Sequence, residues 1–246
     1  GGRGTDTARK LAVSDEDGSI FFVLNTNSYS DVTTFQNFLF KTAAGGAVQW
    51  QIPLGIPGWN EVSISEVLAR SGGGCLVSGT LRDELSPLDF SFQRFPFLAE
   101  YDAQGNRLWH QIYTPNSTGS NPFATGLLEM PNGDLILYGA STGDDGRYLF
   151  HIRVDAFGQV VWSIEEPNEA PRLSPAAADV LEDGSFVLLC SEWGSPSEDK
   201  LRIQKRDGDG SLLWETGFVA SEDTLSFAPV DIVHTADGGY MVACWS

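Results

Sequence analysis

Apolar residues along this chain fall into short runs, and each run follows a turn built from Asp, Asn and Gly. Five such segments recur: "DEDGSIFFVLN", "RSGGGCLVSGT", "MPNGDLILYGA", "LEDGSFVLLCS" and "TADGGYMVACWS". A turn of this composition leading into a run too short for a helix is a hairpin signal. The turn glycines, Gly18, Gly73, Gly133, Gly184 and Gly238, step by 55, 60, 51 and 54 residues. Six residues beyond them stand Leu24, Gly79, Gly139, Cys190 and Cys244, four of the five being small. That choice predicts close backbone approach at this position of the repeat.

A second landmark alternates with the first: "KTAAGGAVQW", "YDAQGNRLWH", "VDAFGQVVWS" and "RDGDGSLLWE". The step from glycine to tryptophan is always four residues, at Gly46 to Trp50, Gly105 to Trp109, Gly158 to Trp162 and Gly210 to Trp214. The tryptophans are 59, 53 and 52 residues apart, room for four short strands and their turns. Five residues before each of these glycines the chain is charged (Lys41, Glu100, Arg153, Lys205), and the residue before that is apolar except at Gln204. Alternation of this kind predicts a strand buried on one face.

The repeating unit therefore reads as strand a, a DG-type turn, strand b, a loop, strand c, a D-x-x-G turn, and strand d carrying the tryptophan. Helix signals are nearly absent. The fold class expected is all-β, a β-propeller of four-stranded antiparallel blades with about four and a half blades present. The blades are expected near residues 6–55, 61–115, 121–168 and 174–220, with a half blade at 224–246, together one propeller domain or a fragment of one over 1–246. On this reading the chain is part of a longer propeller of six to eight blades, and the remainder of that longer chain is its first partner.

The series D-x-x-G-x-x-x-W at Asp102/Gly105/Trp109, Asp155/Gly158/Trp162 and Asp207/Gly210/Trp214 resembles the tryptophan-docking motif of quinoprotein-like propellers. The first copy departs from it, with Ala43 in the Asp position. The whole chain also resembles secreted bacterial propeller repeats of the kind found in large surface proteins of Bacteroidota. That resemblance implies a fold, and an extracellular or cell-surface location with the cytoplasm as alternative. It carries no activity over, because none of the metal and quinone ligands of quinoprotein dehydrogenases maps onto these residues. No cofactor is expected.

Composition narrows the partners. With 15 Lys plus Arg against 33 Asp plus Glu, the formal net charge is −18. Such a chain is a poor ligand for nucleic acid or for an anionic membrane, both of which need clustered cations. No apolar run is long enough to cross a bilayer, so direct membrane insertion is not expected. The three cysteines, Cys75, Cys190 and Cys244, sit in apolar runs with no C-x-x-C spacing and read as small buried residues. The three histidines, His110, His151 and His234, lie in different repeats without a partner three or four residues away, and read as strand-face residues. "SGGGC" at Ser71 to Cys75 shares the register of the other a–b hairpins and reads as a turn rather than a nucleophile elbow. "DEDGS" and "DGDGS" have part of a calcium loop's acids but lack its remaining ligand spacing, so no metal site is expected. "NST" at Asn116 matches a glycosylation sequon, which matters only in a eukaryotic secretory route.

Function is expected at the other end of the blades. There the loops are long and differ from repeat to repeat, as in "NTNSYSDVTTFQN", "TLRDELSPLDFSFQRFP", "PLGIPGWNE" and "SEWGSPSEDK". They carry Tyr29, Phe35, Trp59, Phe90, Phe92, Phe95 and Trp193 beside Asp31, Asp83, Glu84 and Asp89. Aromatics beside carboxylates suit stacking on sugar rings or anchoring of a protein. Tyr29, Trp59, Phe90, Phe92 and Trp193 are the candidate binding residues, and no catalytic residue is singled out. The expected function is non-enzymatic recognition of protein or glycan. The alternatives are a carbohydrate-active enzyme that uses paired carboxylates on the same face, and an intracellular propeller arm of a multidomain protein.

Overall fold

A computed structural model describes residues 6–26, 36–59, 61–86, 91–114, 121–143, 146–168, 172–193, 200–219 and 228–245. Among these, 18 strands form five antiparallel sheets, each made of consecutive strands, and no helix occurs. The chain divides into two compact units, residues 1–114 and 115–246.

Unit 1 holds two sheets. The first comprises β1 (Asp6–Val13), β2 (Ile20–Thr26), β3 (Gln36–Thr42) and β4 (Val48–Pro53). The second comprises β5 (Glu61–Ala69), β6 (Cys75–Ser86), β7 (Ser91–Tyr101) and β8 (Arg107–Ile112). Phe21, Val23 and Leu39 of the first sheet pack with Val67, Val77, Leu81, Phe97 and Ala99 of the second. Burying one such side chain contributes about 1.5–3 kcal/mol, so this seam is the main source of cohesion in the unit.

Unit 2 holds two more four-stranded sheets and a two-stranded one. These are β9 (Phe123–Glu129), β10 (Leu135–Gly143), β11 (Gly146–Val154), β12 (Val160–Pro167); then β13 (Arg172–Val180), β14 (Phe186–Trp193), β15 (Lys200–Arg206), β16 (Leu212–Val219); then β17 (Ala228–His234) and β18 (Tyr240–Trp245). Strand β14 explains why the b strands are continuous apolar runs rather than alternating ones. Phe186, Leu188 and Cys190 pack toward Ile136 and Tyr138, while Val187 and Leu189 pack toward Ile232. A strand covered on both faces has no solvent side to mark.

The turns are nearly uniform. In eight of the nine described a–b and c–d turns the glycine N–H donates to the carbonyl three residues back, at 2.8–3.3 Å. Gly105 takes φ +84°, where a side chain would be strained, and so lets strand d leave the turn in register. Asp102, Asp155 and Asp207 each accept two N–H groups of their own turn, which accounts for the Asp of the D-x-x-G motif. Asp17 likewise accepts from the N–H and hydroxyl of Ser19. Asp17 and Asp207 therefore serve their own hairpins, while Glu16 accepts from the Gly72 N–H of the next sheet's turn at 3.1 Å.

The small residue six beyond each a–b glycine has a geometric cause. Every a strand carries one extra residue, and Leu24, Gly79, Gly139, Cys190 and Cys244 each pair with the residue at the edge of that bulge. At Gly79 an added Cβ would collide with the Ser63 carbonyl and come within 2.8 Å of the Phe97 ring; Gly139 meets the same obstacles in Phe123 and Phe150. Pro175 and Pro229 stand beside their bulges, where proline is tolerated within a sheet.

Two expectations need correction. At the charged position of strand c, Lys41 does not face solvent: it is buried, its Nζ donating to the Gly73 carbonyl at 2.8 Å and lying 5.2 Å from the Phe21 ring centre, while Glu100, Arg153 and Lys205 are half-buried. Cys244 is exposed, unlike Cys75 and Cys190, because among the described residues no third strand covers the outer edge of β18.

Replacing Gly79 by alanine is expected to destabilise the protein by about 2–4 kcal/mol, because the obstructing atoms are backbone and a packed ring. Urea unfolding of G79A measures this, and a cost within error of zero would refute the crowding account. Four turn carboxylates are held below the ordinary range, chiefly by a side chain of the same turn: Asp17 by Ser19, Asp102 by Asn106, Asp183 by Ser185 and Asp237 by Thr235. A folded-state pKa below the unfolded one stabilises above the unfolded value and ceases to do so as pH falls through the folded value. The melting temperature should therefore drop as pH is taken from neutral to below about 4, whereas a flat profile would contradict these turn bonds.

Candidate functional site

Each strand-d tryptophan lies directly across the c–d ladder from the charged residue of strand c, because a bulge precedes it. In unit 1 the Trp50 indole lies over Gly105 of the next sheet and Nε1 donates to the Ala103 carbonyl at 2.8 Å. In unit 2 Trp162 lies over Gly210 in the same way. Here Arg153 Nη1 takes the equivalent carbonyl, of Gly208, at 2.7 Å, and Trp162 Nε1 is buried with no hydrogen-bond partner among the described residues. Trp214 meets Tyr240 edge-on at 5.9 Å. These tryptophans hold sheets together, so chemistry must be sought elsewhere.

At the long-loop end of unit 1, the connection after β4 carries Trp59. Its backbone N–H donates to the Ile56 carbonyl at 3.1 Å, and its ring meets Phe95 edge-on at 5.0 Å. Trp59 is half-buried against the seam between the two sheets, leaving part of the indole open to solvent. On the opposite face of the second sheet, ladder pairing puts Glu61, Arg82 and Arg94 in one row across β5, β6 and β7. Arg82 Nη1 pairs with Glu61 Oε2 at 2.8 Å. Burial, and then the Arg82 charge, lower the pKa of Arg94. The Trp59–Phe95 pair and this charged row flank the same end of one sheet.

Of the sequence-derived candidates, Tyr29, Phe35, Phe90, Asp31 and Asp89 lie outside the described residues, as do the side chains of Phe92, Glu84 and Trp193. Trp59 and Phe95 are brought together; Asp83 lies further along β6, opposite Gln93.

Unit 2 contains a polar network that sequence reasoning missed. Arg206 is fully buried, with Nη1 and Nη2 reaching the two Glu166 oxygens at 2.9 and 2.5 Å and further bonds to the Gly210 carbonyl and Gln204. Arg202 bridges Glu192 and Glu215 at 2.6 and 2.5 Å. Burial alone would raise the Glu215 pKa, but bonds from Gln204 and Arg202 outweigh it and hold it low. His151 is buried against Phe186, and burial together with the Arg206 charge lowers its pKa to about 3. It is neutral at physiological pH and out of reach of solvent. His234, by contrast, pairs with Asp179 of the neighbouring sheet through Nδ1 at 2.6 Å. No spacing rule reveals either contact, since the partners are 40 and 55 residues apart. Burial raises the thiol pKa values of Cys75 and Cys190 to about 12, which makes both inert. Among the described residues no three or more His, Cys, Asp or Glu side chains gather into a group that could hold a metal.

Four-stranded antiparallel sheets of consecutive strands, with a strand-d tryptophan docked on the glycine turn of the following sheet within each unit, define the class of this protein as a β-propeller. No family model matches the sequence, and no curated protein is similar enough to count as a relative. In fold the chain is similar to the α-L-arabinofuranosidase of Fusarium graminearum in complex with an iminosugar inhibitor, with a TM-score of 0.59 at 14% identity, over 96% of this chain and 74% of that one. A mutant of the same enzyme, also in complex with an iminosugar inhibitor, gives 0.57 at 15% identity, over 98% and 74%.

Replacing Glu166 by alanine strands the buried Arg206 guanidinium and is expected to cost about 2–4 kcal/mol, with Glu166→Gln recovering part of it. Chemical denaturation of both variants tests this, and stability of Glu166→Ala equal to that of the unsubstituted protein would show that the charge pair contributes nothing.

Proposed function

We propose that this protein is a non-enzymatic recognition propeller that binds glycan or protein through its long-loop end, and that it works outside the cell or at a bacterial cell surface. The observation that carries this reading is the contrast between the two ends of the sheets. One end is a nearly uniform set of glycine turns whose backbone polar groups are largely spent within the turns and on side chains of the neighbouring sheet. The other offers the part-open Trp59 indole braced by Phe95, with the row Glu61–Arg82–Arg94 on the opposite face of the same sheet end. An indole edge held by a second ring is a rigid apolar platform on which a sugar ring or an apolar side chain can stack. Tyr29, Phe90, Phe92 and Trp193 remain binding candidates on the sequence alone, from their occurrence in the long loops.

The fold similarity to an arabinofuranosidase supports a second reading, a carbohydrate-active enzyme with its cleft at the same end. The quinoprotein-like resemblance gains support from the docking of Trp50 on Ala103 and Gly105, as a matter of architecture.

Glycan-array and surface-protein screening of the intact protein should yield a ligand whose affinity falls about tenfold or more in Trp59→Ala, measured at a temperature where circular dichroism shows the variant folded. Undiminished binding by that variant would remove the site from this end of the sheets. Release of sugar from aryl glycosides, abolished by a carboxylate substitution, would instead establish the enzymatic reading.

A further inference from the structure

Strands β12 and β16 are edges: among the described residues each pairs on one side only, with β11 and β15. Edge strands of soluble proteins ordinarily turn charge or proline toward solvent. Here both begin with an exposed apolar doublet. Val160 and Val161 are 55% and 54% exposed, and Leu212 and Leu213 are 47% and 54% exposed. Phe157, in the turn before β12, is 73% exposed. The doublets follow from the bulge before each tryptophan, which makes Val161 and Leu213 extra residues, so two successive side chains leave the sheet instead of alternating. Both lie at one end of unit 2, since the turn that launches β16 packs on β12 through Gly210 against Trp162 and Ile164. In unit 1 the corresponding pairs are Val48–Gln49 and Arg107–Leu108, so the apolar doublet belongs to unit 2.

We propose that this rim is a docking surface for an extended, cationic and apolar peptide segment of a partner protein, laid along the free edge of β12. The unpaired backbone edge provides main-chain hydrogen bonds, and the doublets with Phe157 provide exposed apolar surface for alternate apolar side chains. Charge sets the partner's sign: the chain carries −18, and the two turns bring Asp155, Asp207 and the highly exposed Asp209 to this end. A second copy of so acidic a chain, or an anionic bilayer, would be repelled from it.

The test uses the intact chain and fluorescently labelled short peptides alternating Lys with Val, Glu with Val, or Lys with Ser, followed by anisotropy. The Lys/Val peptide should bind, weakening as salt is raised, and the other two should not. Val161→Lys and Leu213→Lys should each weaken binding about tenfold without lowering the melting temperature, since both positions are exposed, while Trp59→Ala should leave it unchanged. Equal binding of all three peptides, or binding indifferent to these substitutions, would overturn the proposal. So would self-association in sedimentation that Val161→Lys abolishes, which would make the occupant a second copy. Retention on phosphatidylcholine vesicles that the same substitution abolishes, with no peptide binding, would assign the rim to a lipid surface.

Discussion

The docking of an indole onto the glycine turn of the following sheet is the constraint from which most of this architecture follows. For Trp50 to lie flat over Gly105 and donate to the Ala103 carbonyl, the turn must present bare backbone, so its glycine can carry no side chain. The tryptophan must also leave strand d on the side of the next sheet, which fixes the bulge one residue before it and its pairing with the charged residue of strand c. That charged residue is consequently carried into the seam, where Lys41 and Arg153 spend their donors on carbonyls of the neighbouring sheet. A side chain that would face solvent in an isolated strand becomes a tie between sheets.

The same lock is made in two ways. In unit 1 the indole satisfies its own N–H. In unit 2 Arg153 occupies the carbonyl that the indole would have used, and the salt bridge of buried Arg206 with the part-exposed Glu166 supplies polar cohesion at that seam. Direct docking contributes through one neutral hydrogen bond. The variant relies on charged ones, which cost more if broken because a buried guanidinium is left unpaired. Sheets that repeat in outline are thus held by different chemistry.

Much of the scaffold was legible in the residues. The glycine-to-tryptophan step and the turn acids specified strand order, turn type and the position of the docked ring, because each depends on local backbone geometry. The site was legible only in part. Trp59 could be nominated from its loop, but its bracing by Phe95 and the row of Glu61, Arg82 and Arg94 depend on the register of three strands. The doublets "VV" and "LL" before Trp162 and Trp214 look like core strand, and only the bulge turns them outward.

The amino-acid sequence by itself determined the repeat, its all-β class and the bulge-facing small residues, since a Cβ at Gly79 or Gly139 has no room whatever the rest of the chain does. Tertiary structure decided burial. "FVLLC" and "YMVAC" occupy the same position in the repeat, yet Cys190 is fully buried and Cys244 is exposed. Strand β14 is flanked by β13 and β15, whereas among the described residues β18 pairs with β17 alone. Burial is set by the neighbouring strands and sheets, and no local pattern records that.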